Sequence, residues 1–265
     1  MRLFACLIAV SLLLPFACDQ DEGQNSAERT VLRIGTDATY PPFEVVDSET
    51  GEPTGFDMDL IRLVCRRNGW QPEVVVTPFD GIIPGLNGRK YDAVISAMTI
   101  TPQRSAVIDF SRPYYRAGQT IAVPLDDTLI QGVDDLVGKR VGVQLGTTGE
   151  LMAKRMDGLH VTSFDNIGAA FIDMGNGNLD AVLNDFPTTQ AYIKSHARAK
   201  TVGPLLSTEY YGIAVRKGDS TLLGSINRTL EEILADGAYD SLHLTWFGTP
   251  STLETPPAAP DSGGH

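Results

Sequence analysis

Apolar positions along the chain follow two alternating rhythms. Short β-branched runs such as VLRIGT (31–36) and PEVVV (72–76) read as strands. Between them, apolar residues fall at helical spacing: Phe56, Met58, Leu60, Ile61, Val64 and Cys65 within 55–69, then Ile82, Ile83 and Leu86 within 80–88. Gly69 supplies a stop for the first of these helices. From Gly118 the rhythm restarts, with strands over 120–124, 139–144 and 161–164 and helices over 150–156 and 167–174. A β-prone run, LDAVLNDFPTT (179–189), ends in Asn184-Asp185 and echoes the earlier DAVISAMTIT. A strand from Tyr210 and helices over 222–235 and 239–246 complete the order. The pattern predicts two α/β bodies joined by extended crossings near 118–123 and 206–214, with a cleft between them. Such interfaces, and the carboxyl ends of sheet strands, favour small-molecule sites, and crossings of this kind serve as hinges.

The two ends of the chain have a different character. Arg2, the apolar run 3–14 and the small residue before Cys18 predict a targeting segment over 1–18, too short to span a bilayer as a mature helix. Cys18 is read as a lipid-bearing new N-terminus, with simple secretion as the alternative. Both place the mature protein outside the cytoplasm, in the periplasm or on the outer face of the membrane. Residues 19–30 read as a flexible leader and 248–265, rich in proline and glycine, as a disordered tail. The expected lobes are then 31–118 with 212–247, and 119–211.

The net charge of −12 argues against nucleic acid, whose phosphates need a basic stripe, and mildly favours cationic or zwitterionic partners. Cys65 is the lone cysteine of the body and reads as a small buried hydrophobe. With four scattered histidines, taken as surface residues, no metal cluster or cofactor is expected.

Candidate chemistry concentrates in YDAVISAMTITPQRSAVIDFSRP (91–113). A buried strand breaks into Ser96, Ala97, Thr99 and Thr101, and a single arginine, Arg104, follows. Hydroxyl and carbonyl acceptors suit an ammonium, and a guanidinium grips a carboxylate with two parallel bonds. The pattern therefore fits a small zwitterion. Read without other evidence, it equally fits a β-to-α connection capped by Thr101, with Arg104 solvated.

Three segments in order, GTDATYPPFE with GFDMDL, FDGIIPGLNGRKYDAVISAMTITPQR, and VGVQLGTTGE with LDAVLNDFPTT, resemble the polar amino-acid-binding proteins of ABC importers, bacterial solute-binding family 3. Glutamine- and histidine-binding members are nearest in wording. The resemblance implies a periplasmic-binding-protein-like α/β fold of two lobes joined by a two-strand hinge. It implies a monomer that captures a polar or basic amino acid (arginine, lysine, histidine or glutamine) and delivers it to a permease. Arg104 with Thr147 and Thr148 is expected to hold the α-carboxylate. Asp185, Thr99 and the backbone at Ala97 are expected to receive the α-ammonium. Tyr40 and Phe79 match aromatics that sandwich the side chain, and Asp37 with Gln144 would meet its far end. Glutamine-binding members carry lysine where this chain has Gln144, and an uncharged residue beside Asp37 favours cationic side chains. The resemblance leaves two other functions open: a cyclohexadienyl dehydratase acting on arogenate or prephenate, for which Glu150 or Asp185 would be the acid, and an amino-acid-sensing module.

Overall fold

The computed structural model describes residues 30–251. The expected targeting segment, Cys18, all but the last residue of the leader, and 252–265 lie outside the described residues.

In chain order the first stretch runs β1 (Val31–Thr36), β2 (Thr39–Tyr40), β3 (Glu44–Val46), β4 (Pro53–Thr54), α1 (Phe56–Asn68), β5 (Gln71–Val76), α2 (Phe79–Asn87), β6 (Ala93–Val94), α3 (Pro102–Ser105) and β7 (Ile108–Phe110). β8 (Tyr115–Ala117) crosses to a second body made of β9 (Gln119–Pro124), β10 (Arg140–Gln144), α4 (Thr148–Ala153), β11 (His160–Phe164), α5 (Ile167–Gly175), β12 (Ala181–Asp185), α6 (Phe186–His196) and β13 (Ala199–Val202). β14 (Glu209–Tyr211) returns, followed by β15 (Ala214–Arg216), α7 (Ser220–Ala235) and α8 (Ala238–Phe247).

Each lobe is built on a mixed five-stranded sheet, ordered β5-β1-β6-β15-β7 in the first and β11-β10-β12-β9-β13 in the second. This is the two-lobe architecture of the periplasmic binding proteins. In both lobes the parallel strands β1 and β6, or β10 and β12, end at the cleft, so the loops that follow them face one another. The lobes are linked by β8 and β14, an antiparallel pair that aligns Tyr115 with Tyr211 and Ala117 with Glu209. The first expected crossing was therefore misplaced and the second drawn too wide: residues 119–123 lie in β9 and residue 214 in β15, both in the lobe sheets, while the paired strands that span the gap are 115–117 and 209–211.

α1 shows why the helical spacing was readable. Its apolar face, Phe56 to Cys65, is fully buried, Asp57 and Asp59 occupy the first turn, Arg66 and Arg67 the last, and Gly69 closes it at φ 69°. The hinge strands rest on an aromatic cluster of the first lobe. The Phe43 ring meets Tyr115 at 4.8 Å and Tyr211 at 5.2 Å, and Tyr115 stacks on Tyr211. His243, expected at the surface, is buried in this cluster, 4.6 Å from Phe247 and stacked on Tyr115. Its α8 helix covers the hinge side of the core, which a surface reading of an isolated histidine does not anticipate.

Candidate functional site

The site grows out of four strand ends. After β1, Asp37 sits 4% exposed at the cleft floor. Its carboxylate accepts the Thr39 hydroxyl at 2.5 Å and the Gln144 side-chain amide at 2.9 Å. Burial pushes the Asp37 carboxyl above its ordinary pKa, and the Thr39 and Gln144 bonds pull back. Both partners are neutral.

After β6 the chain turns sharply at Ala97, whose φ of 43° lies in the left-handed region that L-residues rarely occupy. It then enters α3, where the Thr101 hydroxyl accepts the Arg104 N–H at 3.2 Å and Pro102 opens the helix. This cap turns Arg104 back toward the strand end. Its guanidinium donates to the Thr99 carbonyl at 2.7 Å and to the Gly146 carbonyl at 3.0 Å, and lies 5.2 Å over the Phe79 ring.

In the second lobe, β10 delivers Gln144 and the loop Gly146–Thr148 that starts α4. Thr147 caps that helix, accepting the Glu150 N–H, and its hydroxyl donates to the Gln144 carbonyl at 2.7 Å. Gly146 donates its own N–H to Glu150 Oε2 at 2.7 Å, so one of the loop's donors is spent on holding the loop itself. Gly146 has φ +79°, and a Cβ there would stand 3.1 Å from Asp80 Cα across the cleft. β12 ends in Asn184 and Asp185, both buried. Asp185 receives the Tyr211 hydroxyl and the Gln119 side-chain amide. Burial raises its pKa to about 7, and the nearby Glu209 charge adds to this against the Tyr211 and Tyr40 hydroxyls and Arg104.

The ten residues expected to bind the ligand come to one place. Asp37, Tyr40, Phe79, Ala97, Thr99, Arg104, Gln144, Thr147, Thr148 and Asp185 line a single cavity with Glu44 and Ser96. The cavity is only about 10 Å³, and hydrogen bonds join the lobes directly across it. Tyr40 donates to Asn184 Oδ1 at 2.6 Å, Gln144 to Asp37, and Arg104 to Gly146. The lobes are closed.

Sequence reasoning missed Glu209 and Tyr211, on the hinge strand itself. The Glu209 carboxylate accepts the Thr99 hydroxyl at 2.6 Å and the Thr148 hydroxyl at 2.8 Å on Oε2, with Ser207 at 3.0 Å on Oε1. One side chain of the hinge thus ties a residue of each lobe. Its signal was the alternation of β14, where Glu209 and Tyr211 point inward and Tyr210 outward. Among the described residues, no group of three or more His, Cys, Asp or Glu is placed to hold a metal, and no helix is long and apolar enough to cross a membrane.

The bacterial extracellular solute-binding proteins, family 3, match residues 32–249. ABC transporter arginine-binding protein 1 of Escherichia coli (strain K12) is 36% identical over 249 residues, 91% of this chain and 98% of the relative. Among solved structures, a mutant of ArgBP from T. maritima superposes with a TM-score of 0.80 at 43% identity, covering 82% of this chain and 95% of that one. An ancestral arginine-binding protein bound to arginine also gives 0.80, at 46% identity over 83% and 99%. An ancestral arginine-binding protein bound to glutamine gives 0.80, at 47% identity and the same coverage. These relatives are binding proteins rather than enzymes.

Proposed function

The chain belongs to the bacterial extracellular solute-binding proteins, family 3, and on that premise we propose that its ligand is L-arginine. It binds a small polar or basic amino acid and delivers it to an ABC permease, as the related arginine- and histidine-binding proteins do. Such proteins work outside the cytoplasmic membrane. The proposal adds the identity of the amino acid and the role of each side chain.

One observation carries it: Asp37 is a buried carboxylate held only by neutral donors. A charge removed from water without a countercharge is costly, and a guanidinium reaching the far end of the cleft would relieve that cost. The rest of the cleft leans the same way: among the described residues lining the cavity, Arg104 stands as the cation against the acidic side chains Asp37, Glu44 and Asp185, and the charges of Asp185 and Glu209 act on Arg104. Arginine brings a net positive charge to this excess of carboxylates. Its α-carboxylate goes to Arg104 with Thr147 and Thr148, and its α-ammonium to Asp185, Thr99 and the Ala97 carbonyl. Its aliphatic stem lies between Tyr40 and Phe79, and its guanidinium meets Asp37 beside Gln144.

Glutamine is the second reading. Gln144 already places an amide N–H on Asp37, the same kind of donor that a glutamine side chain would bring, and a related ancestral protein is bound to glutamine. The protein is proposed to act as a monomer, with lobes 31–118 plus 212–247 and 119–211 hinged at β8 and β14, and to be anchored by a lipid on Cys18. Calorimetry on protein unfolded and refolded free of ligand, titrated with arginine, lysine, histidine and glutamine, tests the ligand. Arginine is expected to bind most tightly. Glutamine binding as tightly as arginine would refute the role given to Asp37.

A further inference from the structure

The ligand reading leaves two carboxyl groups unused, one on the cavity lining (Glu44) and one behind it (Asp57). Glu44 on β3 and Asp57 in the first turn of α1 are both fully buried. Asp57 Oδ2 accepts two bonds, the Ala97 N–H at 2.7 Å and the Tyr114 hydroxyl at 2.7 Å. Glu44 Oε1 accepts the Ser96 hydroxyl at 2.9 Å, and Ser96 Oγ in turn accepts the Asp37 N–H at 3.0 Å. That leaves one oxygen on each carboxyl, Glu44 Oε2 and Asp57 Oδ1, buried and without a donor. The two side chains lie within hydrogen-bonding reach of each other.

Two orphaned oxygens on facing carboxyls are both satisfied by one hydrogen atom. Asp57 already collects two donors that stabilise its charged form, so the proton belongs on Glu44, donating to Asp57 Oδ1. The electrostatics agree. Burial and then the Asp57 charge hold Glu44 well above the ordinary carboxyl range, while Asp57 is raised by burial to about 6 against its bonds from Ala97 and Tyr114. The titratable groups facing the pair are Asp37, Tyr40, Tyr114, Tyr115 and Tyr239, none of them a cation.

The pair is tied to the two left-handed corners of the wall. Ala97 has φ 43° and its N–H ends on Asp57; Ala38 has φ 57° and follows Asp37, whose N–H ends on the Ser96–Glu44 chain. Strained alanine corners persist only when their surroundings over-determine them. We propose that Glu44 and Asp57 share one proton and act as a single positioning unit, fixing the Ser96–Ala97 corner and, through Ser96, the backbone of Asp37. Asp57 does not line the cavity, so its influence on the ligand passes through that corner.

The inference rests on the amino-acid-binding reading for its affinity arm and is independent of it for its spectroscopic arm. Infrared difference spectra of ligand-free wild type against Glu44→Gln at pH 8 should show one protonated-carboxyl carbonyl band lost. The amide keeps both bonds, accepting from Ser96 and donating to Asp57. Arginine affinity in Glu44→Gln should therefore fall less than about fivefold, while Glu44→Ala and Asp57→Ala, checked as folded by circular dichroism, should fall more than about tenfold. Should either alanine variant not fold, the band and the glutamine variant still decide. No band difference, or equal affinity in the glutamine and alanine variants, would overturn the proposal. A wild type that binds no amino acid while the band is lost on substitution would instead refute the ligand reading and leave the shared proton standing.

Discussion

The role proposed for Asp185 would make amino-acid binding a proton-coupled event. In the closed cleft, burial and then the Glu209 charge push its carboxyl up to about 7. A docked α-ammonium favours the ionised form and returns the pKa to the ordinary carboxylate range, near 4. Below pH 7 the ligand must therefore displace a proton, and affinity falls about tenfold for each unit of pH, roughly 1.4 kcal/mol. From pH 7, where the carboxyl is already half protonated, to pH 5 the dissociation constant should rise about fiftyfold. The free amino acid does not titrate in this interval when it is arginine. The sign for the ligand-free closed form is opposite. A carboxyl whose folded pKa is raised contributes stability that is complete below its unfolded pKa and is lost as pH rises through 7. Calorimetry at pH 5, 6, 7 and 8, each in two buffers of different ionisation enthalpy, reads both the constant and the protons released. About one proton should be released per ligand bound near pH 5.5. Asp185→Asn should bind weakly with a flat profile, and its affinity should converge with that of wild type at low pH. A wild-type profile flat from pH 5 to 8, with no buffer-dependent heat, would mean that the carboxylate is ionised before the ligand arrives, and the reasoning would fail.

Four further outcomes are expected. Arg104→Ala should abolish measurable binding by calorimetry while changing the melting temperature little, because its side chain bonds only two carbonyls at the cleft surface; undiminished binding would remove it from the site. Asp37→Asn should weaken arginine at least tenfold more than glutamine, read as the ratio of the two constants, since a buried charge pair is lost in one case and a neutral hydrogen bond in the other. Gly146→Ala should cost about 1 kcal/mol of stability from its positive φ and hold the lobes apart, because the added methyl meets Asp80; small-angle scattering with saturating ligand should show a larger radius than wild type. Cys65, buried with its thiol pushed up to about 11, should react with a thiol reagent only after denaturation.

Much of the fold was readable because burial and periodicity coincide. α1 and α7 carry regular apolar faces with clear ends, and the parallel strands are short β-branched runs. α6 was not readable, since its start, Phe186-Pro187, looks like a turn and its buried residues are Thr188 and Thr189 rather than aliphatics. Nor were β7, β8 and β13, three or four residues each, long enough to show a period. In the site, Arg104 stood out as the single arginine after a buried strand that breaks into Ser96, Ala97, Thr99 and Thr101, and family resemblance supplied the partners. The links that close the cleft stayed hidden because they join residues distant in sequence, 144 positions apart for Tyr40 and Asn184, where no local pattern operates. Glu209 was legible in principle from the alternation of β14, but a lone acidic residue in a short strand carries no sign of which lobe it serves.

The aromatic seat of the hinge has a kinetic consequence. Because Phe43 grips both Tyr115 and Tyr211, the pivot moves with the first lobe, and opening swings the second lobe away as a block carrying Gly146–Thr148 and Asp185. Arg104, Thr99 and Asp37 stay behind on the fixed side. In the proposed site an arriving amino acid would therefore meet a half-site of one guanidinium and one carboxylate spaced along a stationary wall, to be latched only afterwards. Changes at Arg104 should be felt in the association rate as well as in the dissociation rate, whereas changes at Thr148 or Asp185 should shorten the residence time alone. Stopped-flow fluorescence separates the two, with the two tryptophans, Trp70 and Trp246, both on the first lobe, as built-in reporters.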